Sequence, residues 1–211
     1  EAAFAAADKA GFFIQAEAPR ANVDTDAPLD RFIEEEALRI LDTYGNHPSF
    51  VLLSMGNELS VSDSVLTSLL ATLQTHDSRR LYTASTGMGP QTSQDDFRVR
   101  HEGRGIGGPG TERDLLQQVA QFPVPLISHE IGQWAVYPAL DEIAKYTGWL
   151  KPRNFELVRD DLNSKHLLDQ AAAFTRVTGE HAALLYKEEI EVLLRTPGLA
   201  GFQLLDLHDY P

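Results

Sequence analysis

The chain has 211 residues, 43% of them hydrophobic and 23% charged, which suits one globular domain with a substantial core. A net charge of −13 argues against a nucleic-acid phosphate backbone as partner, and a neutral or weakly charged substrate fits better. Cysteine is absent, which excludes disulfides and thiolate metal sites, and no apolar run approaches the roughly 20 residues of a membrane helix. The sequence starts at Glu1 without an initiator methionine or a signal peptide, as a processed product or a fragment would.

Along the chain the hydrophobic period alternates between strand and helix. GFFIQAE (11–17) is a short apolar and aromatic run that predicts a buried strand. Leu29, Phe32, Ile33, Ala37, Ile40, Leu41 and Tyr44 then recur at steps of three and four, one face of a helix. Pro28 lies in its first turn, and Gly45 with Pro48 ends it. On the outer side Glu34, Glu35 and Glu36 read as solvated charges, Glu35 facing Arg39 one turn on. FVLLSMGNE (50–58) predicts a second strand, and Val65, Leu66, Leu69, Leu70 and Leu73 a second helix. LYTAST (81–86) and DFRVRHE (96–102) are the third and fourth strands. Leu115, Leu116, Val119 and Ala120 mark a helix before Phe122-Pro123, and VPLISHEIG (124–132) is the fifth strand. A long insert over 133–163, with Trp134, Tyr137, Tyr146 and Trp149, precedes two helical stretches near 164–178 and 180–195. AGFQLLDLHDYP (200–211) closes the chain as a sixth strand.

Strands alternating with helices at these intervals imply an α/β fold with a parallel sheet and helices outside it. The strands are apolar rather than alternating, as burial on both faces requires. Five of them end polar: Glu17 after Gln15, Asn57-Glu58, His101-Glu102, His129-Glu130, and Asp206 with His208 and Asp209. In parallel β/α folds the loops at the C-terminal strand ends converge on one edge, so these endings read as the rim of an active site.

Several chemistries compete for that rim. Ser128-His129-Glu130 fails as a nucleophilic triad, because successive strand residues point to opposite faces and His129 cannot serve both neighbours. His101, His129, His208, Asp206 and Asp209 are suitable ligand types for zinc or manganese, but no pair has the spacing of a metal motif. Hydrogen bonding in or beside the core is the plainer role for each of these histidines. GRGIGG (103–108) matches a dinucleotide fingerprint, yet Pro109-Gly110-Thr111 intervene before the next helix, so it reads as a glycine loop. The remaining pair is Glu58 and Glu130, which end two different buried strands. Glycoside hydrolysis needs two carboxyl groups flanking the bond, one to protonate the leaving oxygen and one to attack the anomeric carbon. Asn57, beside Glu58, offers an amide for the sugar 2-hydroxyl.

These segments also resemble a family. GNHPSFVLLSMGNE (45–58) is similar to the fourth-strand segment of the family 2 glycoside hydrolases, retaining enzymes on a (β/α)8 TIM barrel. VPLISHEIGQW (124–134) resembles their seventh strand, and AGFQLLDLHDYP the eighth strand of one branch. The resemblance implies that Glu58 is the acid/base, Glu130 the nucleophile, and Asn57 the amide that precedes the acid/base. Glu17, His101, His129 and Asp206, with Gln15, are further candidates for sugar contacts. Trp134 is a candidate to stack on the sugar, since the tryptophan many relatives carry after strand eight has Asp206, His208 and Asp209 in its place.

The implied protein is a β-galactosidase-like or β-glucuronidase-like hydrolase working by double displacement on an oligosaccharide or glycoside. It requires no cofactor, metal, nucleic acid or membrane, and relatives point to a periplasmic or extracellular bacterial setting. A metal-dependent hydrolase on a similar barrel and a non-catalytic carbohydrate-binding fragment are the alternatives. Residues 1–211 are expected to supply strands three to eight of an incomplete barrel, with two N-terminal strands and the family's β-sandwich domains elsewhere. The expected architecture is one open, C-shaped sheet with its gap between 11–17 and 201–207.

Overall fold

A computed structural model describes residues 1–19, 27–108 and 110–205. Helix α1 (Ala2–Ala10) leads into strand β1 (Ile14–Glu17), followed by α2 (Ala27–Tyr44) and β2 (Phe50–Ser54). Next come α3 (Asp63–His76), β3 (Leu81–Thr83) and β4 (Arg98–Arg100). The short α4 (Leu116–Val119) precedes β5 (Leu126–Ile131), and α5 (Arg153–Ser164), α6 (Ala171–Leu194) and β6 (Leu199–Leu204) complete the order. Among the described residues no helix is long and apolar enough to cross a membrane.

The first half carries the larger core. Ile33, Ala37 and Leu41 of α2 and Leu66, Leu69, Leu70 and Leu73 of α3 are buried at helical spacing around Phe50 and Leu53 of β2. Phe4 of α1 stacks on Tyr44 and packs at 5.1 Å against Phe50, which anchors the first helix to the end of α2. A second cluster joins Ile131 of β5 to Leu115 and to Val192 and Leu193 of α6.

The strands are parallel, in two three-stranded sheets ordered β1-β2-β3 and β4-β5-β6. This corrects the single six-stranded sheet expected from the sequence. Among the described residues no ladder joins β3 to β4, nor β1 to β6. Residues 95–96 replace the missing β3–β4 ladder. The Asp96 backbone N–H donates to Tyr82 O, and the Tyr82 N–H donates back to the Asp96 carboxylate, both at 2.9 Å. Asp95 accepts from the Ala84 and Thr92 backbone N–H groups and pairs with Arg98, both charged side chains being buried. Side-chain carboxylates thus accept from backbone N–H groups where no ladder joins β3 to β4.

Other boundaries also move. Phe12 and Phe13 are 71% and 72% exposed, so the first strand is shorter than its aromatic run suggested. Strand β2 ends at Ser54, four residues before Glu58. The supposed insert contains a 3-10 turn at Leu140–Lys145 and all but the last residue of α5, and α6 is one continuous helix where two were expected. Gly179 lies within α6 without interrupting it, because a single helical glycine costs only about 1 kcal/mol. Arg39 pairs with Glu36 rather than with Glu35.

The seam yields a stability prediction. Asp95→Ala leaves the Arg98 guanidinium buried without its carboxylate and should cost roughly 3–5 kcal/mol in chemical denaturation. A loss below about 1 kcal/mol would show that the junction between the sheets does not depend on this pair.

Candidate active site

The parallel strands bring their C-terminal ends to a common edge, and there the backbone departs from ordinary geometry. Glu58 and Glu130 have φ of 49° and 52°, in the left-handed region that side chains other than glycine seldom adopt. After Ser54 the chain keeps contact with the segment following β3 through a parallel bridge between Asn57 and Thr86. The Glu58 N–H donates to Thr86 O at 2.9 Å, which holds Glu58 at the rim. In β5, Ser128 is paired with Phe202 and Ile131 with Leu204, so β5 spends one residue more than β6 over this interval. This is a bulge at His129-Glu130, a device that re-aims side chains at sheet edges. His129 Nε2 consequently lies 3.6 Å from Glu130 Oε1. Strict alternation, the ground for rejecting the Ser128 triad, therefore does not hold here. Ser128 still takes no part, because its hydroxyl is buried and donates to Glu102 O.

The two carboxylates meet around one imidazole. His101 Nε2 is 3.1 Å from Glu130 Oε2 and 3.7 Å from Glu58 Oε1, so those oxygens are at most 6.8 Å apart, the sum of the two distances. That bound admits the roughly 5–5.5 Å of retaining pairs and overlaps the lower end of the ~6.5–9.5 Å of inverting ones. Glu130 is the more enclosed, its side chain 19% exposed against 41% for Glu58. Arg104 Nη1 stands 3.4 Å from Glu130 Oε2, so the more enclosed carboxylate has a cation beside it. Burial, followed by the charge of Arg104, lowers the His101 pKa below the ordinary histidine value, which favours the neutral ring. The His101 and His129 rings stack at 5.6 Å with 10° between planes.

The other polar candidates bind one another in a closed ring. His129 Nδ1 is 2.7 Å from Gln203 Oε1, and Gln203 Nε2 donates to Gln15 Oε1 at 3.2 Å. Gln15 Nε2 donates to Glu17 Oε1 at 3.0 Å. The Thr86 hydroxyl lies 3.0 Å from both Glu17 Oε1 and Asn57 Oδ1, and Asn57 Oδ1 is 3.3 Å from His129 Nε2. The circuit crosses from β6 to β1 through side chains where no backbone ladder exists. Asp206, with His208 and Asp209, lies outside the described residues.

Trp134 is placed by a residue the sequence did not single out. Glu189 on α6 is 1% exposed, and its carboxylate accepts from the Gly132 N–H and the Trp134 indole N–H at 2.9 and 2.6 Å. Its other oxygen accepts from the Gly105 N–H in the glycine loop. One buried carboxylate thereby ties the segment after Glu130 to the loop carrying Arg104. In sequence Glu189 sits among charged residues of an amphipathic helix, with nothing to mark it. Arg104 was likewise hidden in a run read only for its glycines. Thr86 and Gln203 ended or followed apolar runs, where a polar residue next to other polar strand ends was the available signal.

Two glycines next to the carboxylates leave no room for a side chain. At Gly132, φ is 85° and an added Cβ would collide with the Tyr186 ring. At Gly87, φ is 69°, and a Cβ would stand 2.9 Å from His101 Nε2 and 3.1 Å from Glu58 Cγ. Gly87→Ala should therefore displace His101 and Glu58 and lower kcat in the active protein by about 10²-fold, the scale of a 1 Å misplacement. Unchanged kcat would show that the Glu58–His101 spacing has no bearing on turnover.

No protein-family model matches the sequence, and no curated protein matches it. Solved structures do. The GH2 β-galacturonidase from Eisenbergiella tayi bound to galacturonate superposes with a TM-score of 0.60 at 13% identity, over 95% of this chain and 34% of that one. The β-glucuronidase of Bacteroides uniformis gives 0.64 at 17%, over 100% and 25%, and a putative β-galactosidase of Bacteroides fragilis gives 0.53 at 17%, over 96% and 28%. The chain thus spans about a quarter to a third of the length of these glycosidases. At such identities the likeness is one of fold: this α/β chain is built like part of family 2 glycosidase structures.

Proposed function

We propose that this chain is part of the catalytic TIM barrel of a retaining glycoside hydrolase, contributing strands three to eight. One observation carries the reading: Glu58, in the segment after β2, and Glu130, in β5, both on left-handed backbone, lie within reach of the same imidazole nitrogen. The fold likeness to glycosidases is independent support. Two further parallel strands between β6 and β1 would close a barrel of eight.

In this reading Glu130 attacks the anomeric carbon while Glu58 protonates the departing oxygen, giving a covalent glycosyl-enzyme. Glu58 then takes a proton from the water that releases the sugar. Arg104 sets a positive charge 3.4 Å from the Glu130 carboxylate, and neutral His101 fills the space between the carboxylates without adding charge. Asn57 and His129 present polar atoms to the sugar hydroxyls, and Glu189 keeps the Trp134 segment in place as a wall of the site. The substrate class is a β-glycoside of the galactoside, glucuronide or galacturonide kind on which the structural neighbours act by name.

Two experiments in the protein carrying the complete barrel test this. A 2-fluoro glycoside should label a peptide containing Glu130, and Glu130→Gln should lower kcat at least ~10³-fold; labelling at another carboxylate would sink the assignment. Glu58→Ala should impair substrates with poor leaving groups far more than activated aryl glycosides, and added azide should restore turnover as a β-glycosyl azide. Equal losses on both substrate types would remove Glu58 from the acid/base role.

A further inference from the structure

His101, His129 and Glu130 each bring a donor atom to within 4.8 Å of the others. The protons available to those atoms can be counted from the ring of side chains behind them. Glu17, as a carboxylate, only accepts, so the Gln15 group facing it is the amide N–H. Gln15 must then turn its oxygen to Gln203, Gln203 must turn its N–H to Gln15, and Gln203 Oε1 faces His129 Nδ1. A carbonyl oxygen only accepts, so Nδ1 of His129 carries a proton. In the neutral ring Nε2 is then a bare lone pair, 3.6 Å from Glu130 Oε1, which is an acceptor too, and 3.3 Å from the Asn57 amide. His101 Nε2 is buried without a hydrogen bond, although Glu130 Oε2 is 3.1 Å away. His101 Nε2 and His129 Nε2 thus both stand beside the Glu130 carboxylate.

We infer that this pocket binds a divalent transition-metal ion of the zinc class through His101 Nε2, His129 Nε2 and the Glu130 carboxylate. Imidazole and carboxylate are the donors such ions take, and a histidine whose outer N–H is held by a carbonyl is the arrangement that orients a ligand. Tetrahedral donors stand about 3.3 Å apart around zinc, so the stacked imidazoles tilt inward on binding. Glu58 Oε1, 3.7 Å from His101 Nε2, or a water supplies the fourth position. The ion replaces Arg104 as the counter-charge of Glu130, and the two cations compete. Resting on the glycosidase reading, the consequence is inhibition: a bound ion draws electron density from the Glu130 carboxylate and occupies the space in which an anomeric carbon would approach it.

The test is a titration of the protein with Zn²⁺ at pH 7.5, with Co²⁺ as a visible-absorption probe. One ion per chain is expected. His101→Gln and His129→Gln should each weaken binding at least ~10-fold, and Gln203→Leu, which removes the acceptor for Nδ1, about 10-fold. Arg104→Gln should tighten it, a gain that misfolding does not mimic. Binding unaffected by the histidine variants, or none at millimolar Zn²⁺, would overturn the site. Zn²⁺ should also slow turnover in competition with substrate, and turnover that requires the ion would overturn the inhibitory role. Because binding is read without activity, a failed site and a failed glycosidase assignment, which the 2-fluoro label reports, remain distinguishable.

Discussion

The left-handed backbone at Glu58 and Glu130 is the constraint around which the rest of the site is arranged. Non-glycine residues held in sparsely populated conformations cost on the order of 1–3 kcal/mol each and persist only where surrounding contacts over-determine them. For Glu58 those contacts are the Asn57–Thr86 bridge and the hydrogen bond to Thr86 O. For Glu130 they are the bulge between Ser128 and Ile131 and the Glu189 carboxylate that grips the Gly132 N–H. Release of either set would let the chain relax to extended geometry and point a carboxylate elsewhere.

Electrostatics at the edge follows from the same geometry. Several acceptors are gathered on the ends of strands that are otherwise apolar, and among the described residues only Arg104 brings a permanent positive charge to within 3.4 Å of Glu130. The amides of Gln15 and Gln203 pass orientation, not charge, from Glu17 to His129. Such a circuit is high in energetic stakes, since any amide turned the wrong way sets two acceptors face to face. It also ties β6 to β1 without a ladder, as Asp95 and Asp96 tie β3 to β4. At the β3–β4 seam the carboxylates do what backbone pairing does elsewhere in the sheets.

The fold likeness and the site are separate lines of argument. A shared α/β architecture hosts many chemistries, so superposition on glycosidases does not by itself assign a reaction. The carboxylate pair bears more directly on the proposed reaction, through its spacing and surroundings. The histidine cluster beside Glu130 adds a property, metal affinity, that the architecture does not imply.

From the sequence alone, the period of the apolar residues determined the order of strands and helices, because burial of one helix face or a whole strand leaves a local pattern. Ile33, Ala37 and Leu41, and the leucines of α3, are buried as that pattern required. The polar strand ends also singled out Glu58, Glu130, His101 and His129, since a buried parallel strand has few other reasons to finish on a charge. Tertiary structure decided what depends on partners distant in the chain. The split into two sheets rests on the β3–β4 seam, the bulge at His129-Glu130 on the register against β6, and Glu189 on three N–H groups from two loops. None of these leaves a periodic trace, because each is fixed by a contact between segments far apart in sequence. The tautomer of His129 is set by Glu17, at the opposite end of the chain, through two amides whose order only the folded ring reveals.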